Sequence, residues 1–95
     1  MNSFEGITEF IAVAESHGFS AAARRLGVST SHVSRQVSGL EERLGTVLLA
    51  RTTRKVRLTE AGHNYYLKCK ELVDGLTEAN EGLKSQQVQL NGTLR

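Results

Sequence analysis

The chain has 95 residues, 39% of them hydrophobic, with a net charge of +2, no proline and a single cysteine. That is the size of one small domain, marginal in stability unless association adds burial. There is no apolar run long enough for a membrane span, and MNSFEGITEF lacks the basic-then-apolar pattern of a secretory signal. Cys69 has no partner for an internal disulfide, and with three scattered histidines it offers no metal-ligand spacing. No metal or cofactor is expected, and a reducing cytoplasm is the simplest setting. The charge is unevenly spread. Residues 1–15 carry three glutamates and no base, residues 16–59 carry eight bases against two acids, and residues 60–95 carry four bases against five acids. A basic middle between acidic flanks suits a polyanion partner or an ordinary solvated surface.

Phe4, Ile7, Phe10, Ile11 and Ala14 recur at helical spacing and predict a first helix. Asn2 with Glu5 has the capping-box pattern, and Gly18 is the expected stop. Ser20 is then the expected cap of a short second helix, Ala21 to Leu26, ended by Gly27. A third helix starts near Ser29, with Ser31 as the alternative cap. Its apolar stripe is Val33, Val37, Leu40 and Leu44, and Gly45 ends it. Two helices thus flank a turn of about three residues, the proportions of a helix-turn-helix. Leu48–Arg51 and Lys55–Leu58 read as two short strands around a turn at residues 52–54. Thr59 caps a long final helix, along which Tyr65, Cys69, Leu72, Leu76, Ala79 and Leu83 alternate four and three apart, the seam of a coiled-coil-like partner face. The same seam would serve to pack on its own domain; its length and regularity favour a partner. Beyond Leu83 the pattern decays into KSQQVQLNGTLR, read as a fraying end or linker.

The outward face of the third helix carries Ser31, Ser34, Arg35 and Ser38. A helix entering a major groove needs such residues at its start. Short hydroxyls let the backbone approach and bond to phosphates or bases, and arginine can grip guanine O6 and N7 together. A helix N-terminus also favours phosphate. Ser29, Thr30, Ser31, His32, Ser34, Arg35 and Ser38 are therefore the candidate contacts from this helix. Arg51, Arg54 and Lys55 are the candidates from the strand pair, along the backbone or in the adjacent minor groove. Ser29 doubles as a cap, and His32 fits a surface residue equally well. Arg24 and Arg25 either touch phosphate or face water, while Arg43 is expected to bridge Glu41 or Glu42 locally. No nucleophile–base pair or phosphate loop is visible, so an enzyme is not expected. A dimerisation or protein-interaction module with an incidental basic surface is the alternative to duplex DNA binding.

The run FIAVAESHGFSAAARRLGVSTSHVSRQVSGLEERLGTVLLARTTRKVRLTEAG resembles the DNA-binding domain of LysR-type transcriptional regulators. The segments GFSAAA, VSRQVSGLEERLG and RLTEAG carry the likeness, which spans residues 4 to about 90. It implies a mainly α fold: a winged helix-turn-helix of three helices and a two-stranded wing over residues 1–58, then a linker and dimerisation helix over 59–89. Residues 90–95 would begin a linker to an effector-binding domain that these 95 residues do not include, with Thr93–Arg95 the start of a strand. Ser34, Arg35 and Gln36 match the family's common Ser-Arg-Gln, and Arg51 and Arg54 match its wing bases. The family's recognition helix often opens with Gln-Pro. Here those positions are Thr30 and Ser31, so no glutamine contact carries over, and His32 stands where a small residue is usual. The implied function is sequence-specific binding of an inverted-repeat duplex, in the cytoplasm at the nucleoid. The implied unit is a homodimer built on Tyr65, Cys69, Leu72, Leu76, Ala79 and Leu83, and a small-molecule effector acts only in a longer protein.

Overall fold

The computed structural model describes residues 4–52 and 55–93, with side chains as far as residue 86. The elements run α1 (Ile7–Ser16), α2 (Phe19–Leu26), α3 (Thr30–Leu44), β1 (Leu49–Arg51), β2 (Val56–Leu58) and α4 (Glu60–Thr93). β1 and β2 form an antiparallel pair in the register Leu49 with Leu58, Ala50 with Arg57 and Arg51 with Val56. This is a winged helix-turn-helix followed by a long helix.

α1 is the central element, packed on α2, α3, α4 and β2. That is why Phe10, Ile11, Ala12 and Val13 are all buried, a wider surface than the one-sided stripe its spacing suggests. Phe4, placed in that stripe from the sequence, lies outside the helix and is 74% exposed. α1 begins after Gly6, later than the capping box implied; Asn2 lies outside the described residues. The turn out of α1 also differs. His17, not Gly18, takes the left-handed conformation at φ 60°, which a histidine adopts more readily than most side chains. Gly18 is extended and precedes α2, which starts at Phe19, so Ser20 sits inside the first turn rather than capping it. Gly27 and Gly45 end α2 and α3 as expected.

Val33, Val37 and Leu40 on α3 join Phe10, Ala22, Ala23, Leu48, Leu49 and Cys69 in one core. Each fully buried valine, leucine or phenylalanine there contributes about 1.5–3 kcal/mol. Leu44, the last of the stripe, is 43% exposed. Thr59 caps α4: its Oγ1 accepts from the Gly62 amide at 2.9 Å and donates to the Val47 carbonyl at 2.7 Å. Gly62 lies so close to the residue preceding β1 that a Cβ there would stand 1.9 Å from the Leu48 carbonyl oxygen. A glycine in the first turn costs about 1 kcal/mol of helix propensity, and this close approach explains it.

Two acidic side chains tie the elements together. Glu15, near the end of α1, accepts from the Tyr66 hydroxyl at 2.7 Å and pairs with Arg25 at 2.7 Å and Lys70 at 3.6 Å. The Tyr66 hydroxyl, against the opposing cost of burial, and then the two cations hold the Glu15 carboxyl below the usual carboxylate range. The same bond pushes the Tyr66 hydroxyl up. Glu41 of α3 accepts from the amides of Leu48 and Leu49 at 2.8 and 3.1 Å, fixing the root of the wing. α4 stays helical through Thr93, so that residue does not open a strand and the tract after Leu83 continues the helix.

Candidate nucleic-acid interface

Ser29 is the N-cap of α3, its Oγ accepting the His32 amide at 3.0 Å. Its hydroxyl thus satisfies one otherwise orphaned amide and remains exposed. With Val33, Val37 and Leu40 facing inward, the helical period turns Ser31, Ser34, Arg35 and Ser38 outward within an arc of about 100°. Thr30, Ser31, Arg35 and Ser38 are exposed, Ser34 and Gln36 half-buried. Arg35 enters no ion pair among the described residues, so its guanidinium is available to a ligand. His32 is turned elsewhere: its Nε2 lies 3.5 Å from the Glu9 carboxylate on α1.

In the wing the arginines differ. The Arg51 guanidinium stacks 4.4 Å from the centre of the Phe19 ring and sits 3.9 Å from Glu41. It links β1 to both helices of the helix-turn-helix. Phe19 appears in the sequence only as an apolar residue and Glu41 only as a local acid; neither carries a signal of this partnership, because it depends on the fold. Lys55 is exposed next to the turn, where its amide and carbonyl bond back to Thr52. Arg54 lies outside the described residues. Arg57, a basic residue of the second strand, is exposed opposite Ala50. Arg25 pairs with Glu15, whereas Arg24 is exposed. Arg43 bridges neither neighbouring glutamate; it donates to the Glu5 backbone carbonyl and so secures the segment before α1.

The seam on α4 divides in two. Tyr65 packs its ring against Phe10 at 5.8 Å between centroids, and Cys69 is 4% exposed within its own chain. Burial pushes both the Cys69 thiol and the Tyr65 hydroxyl up. A thiol so placed is a small hydrophobe rather than a nucleophile. Leu72, Leu76 and Leu83 are 69%, 66% and 66% exposed, and Ala79 is exposed with them. Beside this outer row an apolar groove of about 540 Å³ runs between α4 and the start of α1, lined by Phe4, Ile7, Tyr65, Val73 and Leu76 among others.

The sequence profile of the bacterial regulatory helix-turn-helix proteins, lysR family, matches residues 4–63. The chain is 39% identical over 95 residues to the uncharacterized HTH-type transcriptional regulator YhjC of Escherichia coli K12, covering all of this chain and 32% of that protein. It is 40% identical over 91 residues to the HTH-type transcriptional regulator CrgA of Neisseria meningitidis, covering 96% of this chain and 30% of that one. It thus spans about a third of the length of these curated relatives. Its fold is similar to that of BenM_DBD in a complex with benA site 1 DNA, at TM-score 0.80 and 33% identity over 88% of this chain and 93% of that one. It is also similar to the CbnR_DBD–DNA complex, at TM-score 0.78 and 35% identity over 90% and 97% of the two chains. The chain belongs to the lysR family of bacterial regulatory helix-turn-helix proteins.

Proposed function

We infer that this chain is the sequence-specific DNA-binding part of a LysR-type transcriptional regulator. α3 enters the major groove, and the wing lies on the adjoining backbone or minor groove. The observation that carries this reading is the outward row Ser31, Ser34, Arg35 and Ser38, its guanidinium in no ion pair among the described residues, on the helix that follows the turn. The fold's likeness to two DNA complexes supports it. Arg35 reads a base edge, Thr30 and the serines take phosphates or bases, and Lys55 and Arg54 hold the backbone or minor groove. Arg51, engaged by Phe19 and Glu41, meets DNA from the end of β1 next to the turn.

Two copies pair through the outer row of α4, Leu72, Leu76, Ala79 and Leu83, with Tyr65 and Cys69 supporting it from beneath. That places two recognition helices on an inverted repeat. Among the described residues no helix is long and apolar enough to cross a membrane, and a regulator of this kind works in the cytoplasm at the chromosome. Its relatives are transcriptional regulators about three times as long; a small-molecule effector would act through the remainder of such a protein.

The test is binding to duplexes selected from a random pool, measured across salt concentrations. The wild-type chain should discriminate its selected site from random duplex and show a steep salt slope. Arg35→Ala should cost about 1–3 kcal/mol on the selected site and relax one position per half-site. Equal loss on selected and random duplex would remove Arg35 from base reading. A wild-type chain with no salt-dependent duplex binding would favour a protein-interaction module instead.

A further inference from the structure

We propose that Glu15 and Tyr66 are positioning residues that set the angle between the winged body and α4, and thereby the spacing between half-sites that the protein accepts. This rests on the dimer reading above. Thr59 and Gly62 anchor the start of α4 at Val47 and Leu48, and beyond that first turn α4 is held to the body by two parallel rows. The apolar row is Tyr65 and Cys69, one turn apart, set against Phe10 and the core, with Val73 packed partly beside them. The polar row is Tyr66 and Lys70, one turn apart, both meeting the single carboxylate of Glu15. An apolar row alone leaves a helix free to roll and tilt about the contact, since hydrophobic attraction has no preferred direction. The 2.7 Å bond from the Tyr66 hydroxyl is directional and charge-assisted, so it removes that freedom. Arg25 pairs with the same carboxylate at 2.7 Å and brings α2, which leads into the recognition helix, under the same constraint. Lys70 is in turn held at 3.1 Å by Asp74, the next turn along.

The geometry makes a small angle count. At about 1.5 Å per residue, Leu76 and Leu83 lie roughly 15 and 25 Å along α4 from Tyr66. With the outer row fixed in a dimer, a tilt of about 10° at Glu15 turns each body about that joint and carries its far side, up to about 24 Å away, through roughly 4 Å, close to the 3.4 Å of one base-pair step. Loosening this joint therefore changes which spacers fit while leaving the face that reads each half-site untouched.

The experiment uses the 95-residue chain and inverted-repeat duplexes with one fixed half-site and spacers varied one base pair at a time. Wild type, Tyr66→Phe and Glu15→Gln are compared, with helix content by circular dichroism and dimer formation by sedimentation velocity measured on each. The wild type should show a sharp spacer optimum. In the variants the optimum should move by a base pair or more, or the preference over neighbouring spacers should fall by roughly tenfold, the scale of one hydrogen bond to a charged group. The ranking of mutated half-sites should stay as in the wild type. Tyr66→Phe removes one hydroxyl, so it decides the matter if Glu15→Gln fails to fold. A folded, dimeric Tyr66→Phe with an unchanged optimum and width overturns the proposal and leaves the dimer reading standing. A wild type indifferent to spacer overturns both.

Discussion

The two ends of α4's seam obey the same period and meet opposite fates. At Tyr65 and Cys69 the repeat turns inward and its residues complete the core of their own chain. From Leu72 onward the same repeat turns outward, and Leu72, Leu76 and Leu83 stand 66–69% exposed. One helix therefore differs along its length: its base is a fourth wall of the winged body, and its outer part is an exposed apolar strip, the one assigned above to pairing. Periodicity reports that a face will be buried and is silent on what buries it.

The largest effect expected from breaking this comparison is at the outer end. Leu76→Asp should leave the winged body folded, because the side chain is already 66% exposed. In a two-fold dimer the lost burial is felt twice, at about 1.5–3 kcal/mol for each leucine. Sedimentation velocity should show monomers, helix content should be largely retained, and tight binding to the inverted repeat should be lost. A wild-type chain that is monomeric at tens of micromolar and still binds one operator tightly would sink the pairing.

The converse change is Gly62→Ala at the base. A methyl there must displace the Leu48 backbone, and backbone yields less readily than a side chain. Overpacking of this kind costs about 1–3 kcal/mol, more than alanine's gain in helix propensity. Thermal melting should fall by roughly 5–20 °C, with the fold weakened where Leu76→Asp spares it. An unchanged melting temperature would mean that β1 moves freely away from α4.

The smallest effect is the acid dependence of the joint between α1 and α4. Tyr66, against burial, and then Arg25 and Lys70 lower the Glu15 carboxyl in the folded chain. Its stabilisation is thus complete above the ordinary value of 4.5 and fades as pH falls through the lower folded value. The melting difference between wild type and Glu15→Gln should be constant from pH 7 to about 5 and shrink below that. A difference that widens in acid would reverse the assigned sign.

Local features were legible in the sequence. The Ser29 cap, the stripe of α3, the glycines ending α2 and α3, and Thr59 at the start of α4 each depend on residues a turn apart. The sites that needed the fold join distant residues: Arg51 with Phe19, Arg43 with the Glu5 carbonyl, Tyr66 with Glu15. Arg51 and Arg43 show this most plainly. Both are basic residues in a basic stretch, and both are occupied by their own chain in ways that composition does not mark. His17 is a smaller instance, since a glycine beside it looks the better candidate for a left-handed turn. Arg35 was legible because the apolar stripe on α3 fixes which side faces out.

The Glu41 bonds to Leu48 and Leu49 close loops of seven and eight residues, whereas the Tyr66 bond to Glu15 closes one of fifty-one. Loop-closure entropy makes the short loops cheaper to form, and contacts between near neighbours in sequence form sooner. The reading helix and the wing can therefore assemble as one early unit, with α4 docking afterwards onto a finished surface. During synthesis the same order holds among these elements, because α4 leaves the ribosome after the three shorter helices and the wing. On the pairing proposed above, a chain that has not yet formed α4 has no outer row with which to recruit a second copy, so pairing would wait on folding.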